Sequence, residues 1–357
     1  MAVATFGEVL EELKIEDIRR QSSSAFDRVR RRHIKALHEL TGRNVVVYYS
    51  GWLHRDGQEH FHTTSINDED KHGFMAAFAG LSFDKGLDLI LHTPGGDVAA
   101  TESIIDYIRS KFGNDVRVIV PQISMSGGTM IALSAREIVM GRHSNLGPID
   151  PQFGGIPAIA ILEEFDRART EILADPNTAL VWQPILSQYG PTLLSVADQS
   201  IKWARSIGTK AVRDGMLHGE ADAAIKAAEI VEFMLSQDLH HAHGRHIHRN
   251  ELKDKGVKII DLEDDPALQD AVLTVHHACM LTVGNANANK LIENHNGIAH
   301  VKMMQMMVVN QPNAITLPQN PALPPAAAPA PAPLPVQLSF FDRLKLAFKV
   351  LFGAVTP

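Results

Sequence analysis

The sequence predicts an α/β fold: a largely parallel sheet with covering helices and a helical extension. Three features point there. Four runs, NVVVYYSGWL from Asn44, LDLILH from Leu87, VRVIVP from Val116 and REIVMG from Arg136, are nearly continuous in apolar residues, the pattern of strands buried on both faces. Segments with apolar residues at helical spacing alternate with them. Glycine-bearing turns follow two of the runs, at the ends where open α/β sheets bind ligands. The chain has 357 residues, and its 45% hydrophobic content is ample for a core.

In chain order, residues 1–20 read as a short acidic helix. Residues 21–42 read as a second helix ending at Gly42, with Arg28, Arg30, Arg31, Arg32 and Lys35 expected on a solvated basic face. Together they form an N-terminal unit, 1–42, ahead of a core at 43–155. After the first strand, INDEDKHGFMAAFAGL becomes apolar at helical spacing, with Asn67 or Asp68 as cap and Asp70 near the positive helix end. VAATESIIDYIRSKFG forms a helix closed by Gly113, and SGGTMIALSA a helix opened by a glycine pair. Residues 156–310 hold the extension, mostly helical to 235, then one further strand in GVKIIDL and a helix in QDAVLTVHHACMLTV.

Residues 311–337 are rich in proline and alanine and read as an extended linker. Residues 338–357 read as an amphipathic basic helix, with Phe341, Leu344, Phe348, Leu351 and Val355 on one face. That face can dock on its own domain, fill a partner's groove or lie on an anionic membrane. The formal net charge of −7 does not favour nucleic acid as a partner. The single cysteine, Cys279, excludes an internal disulfide and a cysteine metal cluster. No cofactor motif of the GxGxxG or GxxxxGK[ST] kind occurs, and no metal is expected. The acidic N-terminus and the lack of a long apolar span lead us to expect a cytoplasmic location, with membrane association only through the tail.

Two turns carry the chemistry. In His92-Thr93-Pro94-Gly95-Gly96-Asp97 the glycines permit a tight turn and expose amides. In Ser124-Met125-Ser126-Gly127-Gly128-Thr129 a serine stands at a strand-to-helix junction, where its hydroxyl is presented and the next amide points to the same spot. Ser124 or Ser126 can equally serve as an ordinary helix cap. HTPGGDV, then SMSGGTMIALSA, then GRHSNLGPIDPQFGG, all within about 40–260, resemble the ClpP/signal peptide peptidase A/crotonase-like superfamily, and within it the serine dehydrogenase proteinase family.

The resemblance implies a ClpP/crotonase-like fold, a homo-oligomer, and a serine peptidase acting on a peptide or unfolded protein through an acyl-enzyme. Ser126 matches the nucleophile, and Gly96 and Gly127 the oxyanion amides, with Gly95 and Asp150 also at the site. Asp150 stands where ClpP proteins carry their histidine, and His143 is seven residues earlier. The general base is therefore open. Lys202, with Lys210 second, matches the later lysine of signal peptide peptidase A proteins. His243, within the run His240, His241, His243, His246, His248, matches a histidine-containing turn and has suitable acid–base chemistry. Those imidazoles also keep metal binding open. The departure at Asp150 supports the alternative of a noncatalytic peptide-binding scaffold.

Overall fold

The computed structural model describes residues 5–18, 24–55 and 61–303. The expected linker at 311–337 and amphipathic tail at 338–357 lie outside the described residues. Apart from 153–155, the described residues belong to one compact unit.

In chain order, helices α1 (Phe6–Ile18) and α2 (Ala25–Thr41) precede strand β1 (Asn44–Ser50). Ser24 caps α2 by accepting from the Asp27 amide, and Gly42 closes it in the left-handed conformation. Helices α3 (Phe61–Thr64) and α4 (Glu69–Phe78) lead to β2 (Leu87–His92), α5 (Val98–Phe112), β3 (Val116–Val120) and β4 (Ile123–Ser124). Then come α6 (Gly127–Leu133), β5 (Glu137–Met140), β6 (Asn145–Leu146), β7 (Gln152–Phe153) and β8 (Ile156–Pro157). The extension holds α7 (Ala158–Ala174), α8 (Ala179–Leu186), α9 (Leu193–Asp214), α10 (Ala223–Leu235) and α11 (Gln237–His240). The chain returns to the sheet through β9 (Ile247–His248), α12 (Arg249–Asp254), β10 (Ile259–Asp261), α13 (Pro266–Asn285), β11 (Ala288–Asn294) and β12 (Ala299–Met303).

The main sheet has the order β10-β5-β3-β2-β1-β11-β12. The first five strands are parallel, and β11 and β12 add an antiparallel edge. Alternation along each strand divides the core. Val46, Tyr48, Leu89, Leu91 and Val118 face the layer of α4, α5, α6, α9 and α10, while Val45, Val47, Tyr49 and Ile90 pack under α2 and α13.

One expectation is corrected in part. The basic side chains of α2 form a solvated face only in part: Arg32 and Lys35 are exposed, but Arg28 and Arg30 are not. Arg30 is fully buried and pairs with Glu293, Arg31 reaches the same carboxylate, and Arg28 and Arg32 bind Glu16. Asp70 lies in the first turn of α4, as expected. It turns inward onto Lys290, an arrangement that proximity to the helix end could not announce. The strands β11 and β12 went unforeseen.

Candidate active site

Site geometry begins with the backbone of Ser126, which adopts φ 49° and ψ −116°. A non-glycine residue there is strained, by about 1–3 kcal/mol, and holds that shape only because its surroundings enforce it. The side chain is half-exposed and makes no capping hydrogen bond to α6, so the helix-cap role does not describe it. Thr129 braces the junction from below. Its hydroxyl lies 3.0 Å from the Ser124 carbonyl oxygen and 2.9 Å from that of Gly147, and it accepts from the Gly147 amide.

The Gly95–Gly96 turn packs directly on this junction. A Cβ on Gly95 would lie 2.6 Å from the Ser126 Cβ and 2.9 Å from the Gly127 nitrogen. Gly95 has φ 87°, which also favours glycine. The amides of Gly96 and Gly127 are neighbours: a Cβ on Gly127 would lie 3.5 Å from the Gly96 nitrogen. Among the described residues neither amide donates to a protein acceptor. Two adjacent unused donors beside a serine hydroxyl can receive an oxyanion.

A small three-stranded sheet, β4-β6-β9, brings the remaining groups to the same end. β4 runs parallel to β6, and β6 antiparallel to β9, with Leu146 opposite Ile247. Continuing that register four residues beyond the strands places Asp150 opposite His243. Their side chains meet there, His243 Nδ1 lying 2.7 Å from Asp150 Oδ1. Asp150 is buried and its other oxygen accepts from Gln152. His243 remains partly exposed. Its turn is braced by Arg245, which donates to the Leu239 carbonyl and to both oxygens of Glu251. No hydrogen bond joins Ser126 to His243 among the described residues.

The lysines lie elsewhere. Lys202 projects from α9, 68% exposed, and pairs with Asp198 one turn away; Lys210 pairs with Asp106. Neither has the apolar enclosure that makes a lysine a base. His143 is exposed. His240 is buried with Nε2 on the Phe233 carbonyl. Burial lowers the His240 pKa. Among the described residues no group of histidine, cysteine or carboxylate side chains is placed to hold a metal.

Beside Asp150 lies a cavity of about 470 Å³, walled by Ile159, Ile201, Phe233, Leu235 and Leu239. Sequence reasoning missed this cavity, since its lining comes from four separate helical stretches. It also missed Arg245 and Ile66. Ile66 brackets the glycine turn, donating its amide to the Gly95 carbonyl at 2.8 Å and accepting from the Asp97 amide at 2.9 Å. No local pattern marks either residue.

Two uncharacterized proteins of Methanocaldococcus jannaschii are similar to this chain, 41% and 40% identical over 116 residues. The shared segment is 32% of this chain and 40% and 39% of theirs, so the chain spans about two fifths of the length of these relatives. No solved structure matches. Residues 23–190 match the model of a family described as ClpP-like SDH-type serine proteinase, a match consistent with the ClpP-like superfamily over that part of the chain.

Proposed function

We propose that the chain is a serine peptidase in which Ser126, His243 and Asp150 work as a triad and the amides of Gly96 and Gly127 form the oxyanion hole. The observation that carries this reading is the 2.7 Å contact between His243 Nδ1 and Asp150 Oδ1, made at the same end of β4-β6-β9 as the strained Ser126. The carboxylate accepts from Nδ1, so the neutral ring carries its proton there and leaves Nε2 as the base. The Ser126 oxygen attacks the scissile carbonyl as His243 Nε2 takes its proton. The carbonyl oxygen becomes an oxyanion held by the two amides. Collapse expels the amine, which receives the proton from Nε2, and leaves an ester on Ser126. Water, deprotonated by the same nitrogen, then attacks the ester carbon; the bond to Ser126 breaks, the serine oxygen takes the proton back from Nε2, and the acid is released. The apolar cavity beside Asp150 suits a bulky apolar side chain of an extended peptide.

The family match includes Gly96, Ser126 and Asp150 and stops before His243. One observation favours a second reading, a peptide-binding scaffold: Ser126 and His243 are not hydrogen bonded. Catalytic hydrogen bonds often close only on substrate, so we retain the enzyme. Labelling with a fluorophosphonate decides between them. The peptidase reading expects modification of Ser126 that disappears in Ser126→Ala and falls steeply in His243→Ala. A well-folded protein that takes no label is a scaffold.

A further inference from the structure

We infer that Lys290 is a positioning residue for the amide of Gly96, acting through a buried ion pair that grips the chain on both sides of Ile66. This rests on the peptidase reading above. Lys290 lies on β11, a hundred residues past the family match, and its side chain is 1% exposed. Its ammonium donates to Asp70 Oδ1 at 2.7 Å, to Asp70 Oδ2 at 2.8 Å and to the carbonyl of Ser65 at 2.7 Å. Asp70 Oδ2 also accepts from the Tyr48 hydroxyl at 2.8 Å and from the Asn67 amide at 3.0 Å. The cation therefore fixes Ser65 and its partner anion fixes Asn67. Ile66 stands between them, and its own amide and carbonyl are the two groups that bond Gly95 and Asp97. From Lys290 a continuous series of directional bonds runs through buried Asp70, Ser65 and Ile66 to Gly95 and Asp97, the residues on either side of Gly96.

Stability alone does not call for this pair. Two buried charges lose their hydration, and well-packed apolar residues of similar volume usually serve a core as well or better. Apolar residues could not hold the Ser65 carbonyl and the Asn67 amide in fixed directions. An oxyanion donor displaced by about 1 Å loses on the order of a hundredfold in rate, so such a grip has a catalytic use.

The test uses the full chain and the double variant Lys290→Met/Asp70→Asn, which removes both charges and strands neither. A peptide substrate gives kcat and KM, fluorophosphonate gives the labelling rate of Ser126, and hydrogen exchange gives protection of the Asp97 amide. Val272→Ala, on α13 in the opposite core layer, is the control for general destabilisation. We expect kcat to fall about 20- to 100-fold with KM within about twofold. Labelling should slow in proportion, and Asp97 should lose about tenfold or more in protection. Val272→Ala should melt earlier and keep its kcat. A folded double variant with wild-type kcat, or with an Asp97 amide as protected as before, overturns the inference. If the double variant does not fold, Tyr48→Phe removes one bond to Asp70 without touching a charge, and must show the same kcat-only loss at about two- to fivefold. A wild-type protein that neither cleaves nor labels refutes the peptidase reading instead. Exchange at Asp97 then decides by itself whether Lys290 holds the turn.

Discussion

Replacing Gly96 by alanine should disable the site while leaving most of the fold in place. A Cβ at Gly96 would lie 2.3 Å from the Ile66 oxygen, 2.4 Å from its nitrogen and 2.8 Å from its Cα, all backbone atoms. Ordinary contact needs about 3.5 Å, so one strand of the bridge must retreat by about 1 Å. Backbone cannot yield by a rotamer change. The retreat breaks the Ile66-to-Gly95 and Asp97-to-Ile66 hydrogen bonds. At about 1 kcal/mol net for each, stability should fall by about 2 kcal/mol. The rate should fall further, because a misplaced oxyanion donor costs about 10²- to 10³-fold in kcat. Peptide hydrolysis beside a denaturant titration measures both. A Gly96→Ala protein with wild-type kcat would refute the placement of the oxyanion hole, and one with wild-type stability would refute the bridge.

Ser126→Ala should abolish hydrolysis, and Ser126→Gly should be the more stable of the two by about 1 kcal/mol, because glycine relieves the positive φ; equal denaturation midpoints would remove the strain argument. His243→Ala should lower kcat by about 10³-fold or more, whereas Lys202→Ala, which loses only a surface pair with Asp198, should leave it unchanged; the reverse result would move the base to the lysine. His92 stands buried against Tyr49 and Trp52, and burial pushes its pKa down to about 4. Its folded pKa is below the unfolded value of about 6.5, so its contribution is complete above pH 6.5 and is lost as pH falls toward 4, about 3 kcal/mol in all. Denaturant titrations at pH 7 and pH 4 should show this loss, reduced in His92→Gln; parallel losses in both proteins would assign it to other groups.

The parallel strands and their helices were legible because each carries its own signal. NVVVYYS and LDLILH are nearly continuous in apolar residues, and Gly42 and Gly113 mark helix ends. β11 was illegible for the opposite reason. Its sequence ANKLIEN carries Asn289, Lys290, Glu293 and Asn294, polar groups that interrupt any apolar run, yet all four are buried and each has a partner distant in sequence. Burial of such groups depends on Thr63, Asp70, Arg30 and the Ala77 carbonyl. The site divides in the same way. Ser126 and the two glycines announce themselves by turn chemistry, while the contact of Asp150 with His243 arises from a register across strands of two residues each, too short to leave a periodic trace.

The pairing of β1 with β11 has a consequence for biosynthesis. β1 leaves the ribosome well before β11, the neighbour that covers its outer edge and ends at Asn294. Through the synthesis of some two hundred and fifty residues, a strand of valines and tyrosines has one row of amides and carbonyls open to whatever passes. The nascent chain therefore carries an adhesive edge through that interval, and a chaperone that shields it would act during elongation.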